Sequence, residues 1–417
     1  MSSMKKRSLM AMLFAIVTLA ACGGGEGTPP PGSENLGPDT IADSVTLDQI
    51  QVIGSHNSYH LEAVKRESNF RKAIVGDTAD ALEYTYASVG QQLGQFNVRQ
   101  LEFDVWFDPE GGLYAKPLIR TLTLGGSLGQ EMRAPGNKVL HIQDIDYHSN
   151  CVTFRECLQE VKTWSDRHPE HIPITFLIEF KDTPLTWTAA QKQEVREQQA
   201  EITEGKPASE RKKIVASVKE ALLADPVPWT SSRMDTVDAD IASVFPAQEI
   251  ITPDLVRGDA ATLESAVLGK GWPTVGESRG KVMFLMDNSG AYRTEYLKGH
   301  DGLERRILFT NSTPGQPDAA FVEQNDPTGA NAARIQDLVR QHYLVRTRAD
   351  QDTLQARRND TRLRDAALAS GAQFVSTDYP APGIAARFKS DYAVTLPGGV
   401  SVRCNPVNAP AECAAGQ

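Results

Sequence analysis

The chain has 417 residues, of which 40% are hydrophobic and 23% are charged, and this composition is typical of a globular enzyme rather than of a disordered or multispan membrane protein. Its formal net charge of -10 at pH 7 argues against nucleic acid as a partner, because phosphate binding depends on clustered Lys and Arg. For the same reason we expect no general basic surface that adheres to anionic lipid.

The N-terminus is typical of a bacterial export signal. A Lys-Lys-Arg run at residues 5–7 precedes an apolar run at residues 9–21, which is too short for a standard membrane-spanning helix. We therefore predict a signal peptide over residues 1–21. Residues 19–22 resemble the lipobox of bacterial lipoproteins, which would make Cys22 the lipidated first residue of the mature protein. Ordinary signal cleavage near the same position is the alternative.

The remaining chain is divided into three parts by composition. Residues 22–39 are rich in Gly and Pro with almost no apolar side chain, so we predict a flexible tether. We predict the catalytic domain over residues 40–395 and a C-terminal tail over residues 396–417. The protein is expected to be exported, either as a cell-envelope lipoprotein anchored to the membrane through Cys22 or as a secreted protein.

Four strand-like apolar runs in the first half of the chain end in polar residues. The strand ends carry His56 with Asn57, Glu102 with Asp104, His141, and Glu179. A lone His at a strand end is more often structural than catalytic, but the repetition of the pattern favours a functional site. Parallel α/β barrels place their chemistry at the C-terminal ends of the strands, so we expect these side chains to converge.

Further strand-like runs follow at residues 281–286, 307–310, 343–345 and 373–376. With the first four they give the eight strands that a (β/α)8 TIM barrel requires. Helix-like periodicity lies between them, first at residues 78–95 and again at residues 152–167, 332–342 and 352–369. We predict one large α/β domain with long loops, since such barrels routinely occupy more than about 200 residues.

The cysteine count fits an exported protein. Without Cys22, the five cysteines leave an even set that can form disulfides outside the cytoplasm: Cys151, Cys157, Cys404 and Cys413. Two local pairs, Cys151 with Cys157 and Cys404 with Cys413, are the simplest of the three connectivities. A zinc site is disfavoured because neither pair has zinc-finger spacing.

The order of the polar strand ends resembles the catalytic half of the calcium-dependent phosphatidylinositol-specific phospholipases C, most closely their bacterial secreted branch. The runs Gly-Ser-His-Asn-Ser-Tyr at residues 54–59 and Leu-His-Ile-Gln-Asp at residues 140–144 carry most of the likeness. It covers residues 47–380 and is strongest over the first half.

The resemblance implies a Ca²⁺ site built from oxygen ligands on Asn57, Glu102, Asp104 and Glu179. Mg²⁺ or Mn²⁺ would accept similar ligands, so the residues alone leave the metal open. The resemblance also implies three catalytic roles. Glu102 would take the proton of the inositol 2-hydroxyl, His56 would stabilise the phosphoryl oxygen in the transition state, and His141 would protonate the departing diacylglycerol oxygen. The enzyme, expected to be a monomer, would act on a phospholipid at a membrane surface and form a cyclic inositol phosphate.

The candidates for substrate contact are Arg346, Arg348, Lys281 and Asp378. Arginines at a barrel mouth can clamp a phosphate or polyol through their planar fork, but salt bridges to neighbouring aspartates are the alternative. The lysines that grip ring phosphates in the eukaryotic enzymes have no match, because residues 282–286 contain no second Lys after Lys281. This departure favours unphosphorylated phosphatidylinositol or a related lipid.

Two other functional classes fit the same pattern. One is another barrel phosphodiesterase, such as a glycerophosphodiester phosphodiesterase or a phospholipase D-like enzyme, with His and carboxylates at its strand ends. The other is a surface lipoprotein that binds inositol lipids without cleaving them. Headgroup preference would distinguish another barrel phosphodiesterase from a phospholipase C. Lipid binding without cleavage would identify the lipid-binding lipoprotein.

Overall fold

The computed structural model describes residues 41–123, 125, 128–212 and 223–414. The predicted signal peptide, the tether and Cys22 lie outside these residues, so they stay predictions. Among the described residues, no helix has the length and hydrophobicity needed to cross a bilayer.

The strands in chain order are β1 Ile50–Ser55, β2 Gln100–Trp106, β3 Lys138–Val139, β4 Ile174–Lys181, β5 Ile250–Ile251, β6 Val282–Met286, β7 Leu308–Phe309, β8 Phe321–Glu323, β9 Leu344–Arg348, β10 Phe374–Thr377 and β11 Arg403–Cys404. The α-helices are Lys65–Val75, Val89–Gln95, Leu118–Leu122, Phe154–Arg167, Ala189–Thr203, Ser231–Val244, Pro253–Arg257, Leu263–Gly269, Val275–Ser278, Gly290–Leu297, Ala330–Arg340, Leu354–Arg358 and Arg362–Ser370. Short 3-10 helices lie at Leu47–Gln49, Gly76–Leu82, Glu131–Arg133, Ala247–Glu249, Asp301–Leu303, Ile384–Phe388, Pro397–Gly399 and Ala411–Ala414.

The strands form a curled, mainly parallel sheet, a half-barrel in an α/β fold. The order along the sheet is β5, β6, β4, β2, β1, β10, β9, β8, and β7 pairs in parallel with β6. One parallel bridge between Asn311 and Phe321 also connects the residues after β7 to β8. The C-terminal ends of the parallel strands therefore lie on one side of the sheet, as the sequence predicts.

Alternation along β2 separates the core from the site. Leu101, Phe103 and Val105 belong to the main hydrophobic cluster, which also contains apolar residues of the helix Phe154–Arg167. Because successive side chains on a strand point to opposite faces, Glu102 and Asp104 lie on the other face.

Several elements of the structure differ from the prediction. The run after residue 138 is not a parallel barrel strand, because β3 has two residues and is antiparallel to β2. β1 occupies that edge of β2 only at Gln100 and Leu101, and β3 uses the same edge further along, at Val105 and Trp106. The short parallel strand β8 was not predicted, since a three-residue strand carries too little periodicity to detect.

The predicted helix over residues 78–95 is also interrupted. A 3-10 helix ends at Leu82, and an α-helix begins at Val89. Its N-cap, Ser88, accepts a hydrogen bond from the Gln91 amide, which satisfies one free N–H of the first turn. The extended segment between them contains the buried Tyr84, which contacts the site described below.

The cysteines form the two local pairs, Cys151–Cys157 and Cys404–Cys413. The first lies at the start of the helix Phe154–Arg167, whose N-cap Thr153 forms a capping box with Glu156. The second joins β11, which is antiparallel to β1, to the chain end. The C-terminal residues therefore contribute a strand to the edge of β1.

Candidate active site

The loop after β1 brings His56 and Asn57 beside Glu102 of β2. The Ser58 amide donates to the Glu102 carbonyl at 2.9 Å, and the Glu102 amide donates to Ser58 Oγ at 2.8 Å. Asn57 has a φ of 47°, a left-handed conformation that Asn tolerates better than most residues. Gly54 permits the close approach of β1 and β2, because a Cβ there would lie 1.9 Å from Gln100 Oε1.

Oxygen atoms without hydrogen-bond partners collect at this point. Asn57 Oδ1 and both carboxylate oxygens of Asp104 are buried and accept no hydrogen bond of normal geometry. The Asn57 amide nitrogen donates to the Tyr84 hydroxyl at 3.1 Å, which fixes the orientation of the amide. Buried carboxylate oxygens without hydrogen bonds of normal geometry are costly, so this set fits a hard divalent cation.

Glu179 completes the oxygen set from the neighbouring strand. It is the register partner of Asp104 in the parallel pair of β2 and β4. Lys181 lies next to both, with its Nζ 3.0 Å from Glu179 Oε1 and 3.4 Å from Asp104 Oδ2. Burial raises the pKa of Asp104 well above its ordinary value, although the Lys181 charge opposes the rise.

Glu102 is buried and paired with an arginine of a distant strand. Its Oε2 accepts from Arg346 at 2.6 Å, and its Oε1 lies 3.5 Å from His56 Nε2. Burial raises the pKa of Glu102 to about 7, while the Arg346 and Arg348 guanidiniums act in the opposite direction.

His56 is held through both ring nitrogens. Its Nδ1 lies 2.8 Å from Asp378 Oδ1, and its Nε2 is 3.1 Å from Arg348 Nη1. Because arginine only donates, Nε2 is the accepting nitrogen and the ring proton is on Nδ1. Burial, and then the Arg348 charge, hold the pKa of His56 well below its ordinary value of 6.5. The His56 ring is therefore neutral in this arrangement.

His141 lies in the loop after β3 and not at the end of a parallel strand. Its Nδ1 is 2.8 Å from Asp146 Oδ2, and about one fifth of its side chain is exposed (20%). It lines a cavity of about 430 Å³ that is also lined by Trp106, Glu179, Lys181 and Tyr292. His141 and the proposed cation ligand Glu179 thus open onto the same space.

Asp146 organises a buried cluster that the sequence analysis did not predict. Besides His141, it accepts from His60 Nε2 at 2.9 Å and from Arg71 Nη1 at 2.5 Å. Burial opposes ionisation of Asp146, but the two histidines together hold its pKa below the ordinary value. The ligand atoms of His60, His141 and Asp146 lie within 4.8 Å of one another, yet the Arg71 guanidinium already supplies the positive charge that a metal would bring.

The four residues predicted to contact the substrate lie in different surroundings. Arg346 is almost fully enclosed by ion pairs to Glu102 and Glu323, both at 2.6 Å, so it is a structural counter-ion with no free fork. Arg348 and Asp378 both contact His56 and belong to the site. Lys281 directly precedes β6 and lies at the opposite end of that strand, so its predicted contact with substrate does not fit the structure.

Two site residues, Lys181 and Asp146, were missed for different reasons. Lys181 could have been found, because it stands two residues after Glu179 on one strand and side chains two apart share a face. Asp146 carries no such signal. Its carboxylate reaches His60, which is 86 residues away in sequence, and only the tertiary fold brings them together.

Comparison with known proteins places this site in a family. Residues 45–206 and 207–406 match the family model described as phosphoinositide phospholipase C, Ca²⁺-dependent. The chain therefore belongs to the Ca²⁺-dependent phosphoinositide phospholipase C family. Its cofactor is Ca²⁺, and its class of activity is that of a phosphoinositide phospholipase. A comparison with curated protein sequences found no match.

Several solved structures are similar to the chain. A calcium-dependent phosphoinositol-specific phospholipase C from Pseudomonas sp. in its apo form is 17% identical, with a TM-score of 0.48 over 88% of this chain and 99% of that one. A Ca²⁺-dependent enzyme from Streptomyces antibioticus is 18% identical, with a TM-score of 0.45 over 83% of this chain and 98% of that one. The phosphatidylinositol-specific phospholipase C of Listeria monocytogenes is 10% identical, with a TM-score of 0.39 over 84% of this chain and 95% of that one.

The cluster around Asp146 generates a prediction about stability. The substitution Asp146→Asn leaves the Arg71 guanidinium buried without an anionic partner, so the free energy of unfolding should fall by about 3–5 kcal/mol. Urea denaturation followed by circular dichroism measures this change. Asp337→Asn removes an exposed aspartate that pairs with Arg340 on a helix surface and should change the stability by less than about 1 kcal/mol. Equal stability of the two variants would contradict the assignment of Asp146 as the centre of the cluster.

Proposed function

We propose that this protein cleaves phosphatidylinositol, or a related inositol lipid without ring phosphates, in a Ca²⁺-dependent reaction. The 2-hydroxyl of the inositol attacks the phosphorus, diacylglycerol leaves, and a cyclic inositol phosphate forms. The observation that carries this proposal is the convergence of two histidines with buried oxygens that lack hydrogen bonds of normal geometry. Asn57 and Asp104 provide the oxygens, and each histidine is bound through Nδ1 to a buried aspartate.

The cation would be held by Asn57, Glu102, Asp104 and Glu179, which offer the oxygen ligands that Ca²⁺ prefers. When bound, Ca²⁺ would lower the pKa of the inositol 2-hydroxyl and neutralise charge that develops on the phosphate. The family is Ca²⁺-dependent, which supports Ca²⁺ over Mg²⁺ or Mn²⁺ at this set of ligands.

His56 is the better proton acceptor for the attacking hydroxyl. The prediction from the sequence gave that role to Glu102 and made His56 a donor to the phosphoryl oxygen. In the structure Glu102 is bound to Arg346, whereas His56 Nε2 carries no proton and Asp378 supports the opposite ring nitrogen. A neutral imidazole with that support accepts a proton readily. Arg348, released from His56, would then contact the phosphate.

His141 would protonate the departing glycerol oxygen. Asp146 binds its Nδ1, which fixes the ring and leaves Nε2 for the leaving group. The neighbouring cavity of about 430 Å³ has room for part of a lipid headgroup.

The charge of the site favours an unphosphorylated inositol ring. Asp287 follows β6 at the C-terminal end of the sheet, and burial, and then the nearby carboxylates Glu323, Glu179 and Glu102, raise its pKa well above the ordinary value. The neighbouring carboxylates Glu179 and Glu323 would accept hydrogen bonds from ring hydroxyls and repel ring phosphates, whereas Asp287, with its raised pKa, adds little negative charge. Arg346 cannot compensate, since it is bound to Glu102 and Glu323.

Three further parts of the proposal concern architecture and location. The bridge between Asn311 and Phe321 supports closure of the sheet into an eight-stranded (β/α)8 barrel. The export signal and lipobox-like residues support an exported lipoprotein held at the membrane through Cys22. We propose that it acts there as a monomer on lipid substrates.

The reaction is tested by phosphorus NMR of the purified protein with phosphatidylinositol in detergent micelles. Separate samples contain calcium, magnesium or a calcium chelator. The proposal predicts a cyclic inositol phosphate signal with calcium and at most about 1% of that rate with chelator, because the cation supplies charge stabilisation worth several kcal/mol. Cleavage of glycerophosphoinositol instead of the lipid would identify a glycerophosphodiester phosphodiesterase, and binding without turnover would identify a lipid-binding protein.

The two histidines should differ in their dependence on the leaving group. His56→Ala and His141→Ala should each lower kcat on phosphatidylinositol by roughly 100- to 10,000-fold. On an inositol phosphodiester with a nitrophenol leaving group, which departs without a proton, His141→Ala should recover most of its activity and His56→Ala should not. Initial rates on both substrates measure this difference. His300→Ala, in a loop outside the site, provides the control. Equal defects of both site variants on both substrates would contradict the assigned roles.

A further inference from the structure

Lys181 occupies a particular position among the proposed calcium ligands. It lies on β4, and its ammonium contacts Glu179 at 3.0 Å and Asp104 at 3.4 Å. About one fifth of its side chain is exposed (22%), while Asp104 is fully enclosed (0%). Asp104 accepts no hydrogen bond of normal geometry, and the ammonium of Lys181 forms an ion pair with it.

A buried carboxylate needs a positively charged neighbour. The two buried carboxylates of β2, Glu102 and Asp104, have different positively charged partners. Glu102 is bound to Arg346, which Glu323 also holds in place. Asp104 has a longer ion pair with Lys181, whose four-carbon stem is flexible, and a contact with the Tyr59 hydroxyl, which carries no charge. The Arg346 pair is therefore fixed, and the Lys181 pair can be broken at lower cost.

We propose that Lys181 is a built-in competitor of the cation. It neutralises Asp104 and Glu179 while the cation is absent and is displaced from them when the cation binds, so it raises the calcium concentration that the protein requires. The physical reason is that a divalent cation bound to the same two carboxylates is repelled by an ammonium already in contact with them. The inference rests on the proposed function, because it assumes that Asp104 and Glu179 hold the cation.

The alternative role for Lys181 is a direct contact with the substrate phosphate. Lys181 lines the cavity beside His141, which is compatible with that role. The two roles predict different effects of removing the charge. A competitor, once removed, lets calcium bind more tightly in the absence of any lipid, whereas a phosphate ligand leaves calcium binding unchanged.

The test is isothermal titration calorimetry of calcium into the chelator-treated full chain without lipid. Lys181→Met should bind calcium at least about tenfold more tightly than the wild-type protein, since a like charge at contact distance is removed. The melting temperature in chelator should fall, and the increase on adding calcium should exceed that of the wild-type protein. Lys181→Gln, which keeps a donor without the charge, gives the same test if the methionine variant does not fold.

Lys298→Met is the matched control, because Lys298 is also paired with a glutamate but lies on an exposed helix end. It should bind calcium as the wild-type protein does. Equal or weaker calcium affinity of both Lys181 variants would overturn the inference and leave the proposed function intact. Failure of the wild-type protein to bind calcium would instead contradict the ligand set itself, and so the two failures are distinguishable.

Discussion

The buried carboxylates of β2 are the constraint on which the site depends. Glu102 and Asp104 lie on the face opposite the hydrophobic core, and neither can stay ionised there without nearby positive charge. Arg346 comes from β9 and Lys181 from β4, so strands far apart in sequence must assemble before these charges are compensated. Folding of the curved sheet therefore also brings the counter-ions Arg346 and Lys181 to the two carboxylates.

The two histidines share one arrangement with different surroundings. Each has Nδ1 bound to a buried aspartate, Asp378 for His56 and Asp146 for His141. The guanidinium of Arg348 lies against His56 itself, whereas Arg71 lies against Asp146 on the far side from His141. The Arg348 charge, together with burial, thereby disfavours the cationic form of His56. We propose that this difference in surroundings underlies the two roles, with His56 as the proton acceptor and His141 as the proton donor.

The order of apolar and polar residues correctly predicted the features that short stretches of sequence determine. The apolar runs ending in His56, Glu102 and Glu179 are strands or strand ends, and the predicted family and Ca²⁺ cofactor are confirmed. The sequence did not predict which side chains pair when they are distant along the chain. His56 and Asp378, for example, are 322 residues apart. The short strand β8 and the antiparallel direction of β3 both depend on which edge of a neighbouring strand is free to pair. The periodicity of the sequence does not contain this information.

The central claim is that Asn57, Asp104, Glu179 and Glu102, which lie in the loop after β1 and on β2 and β4, form one cation site. The most direct measurement is a crystal structure grown with a lanthanide in place of calcium, with an anomalous difference map to locate the ion. The account predicts a single strong peak bounded by the Asn57 and Asp104 oxygens, with Lys181 withdrawn from Asp104. A peak at His60, His141 and Asp146, or no peak near β2, would contradict it.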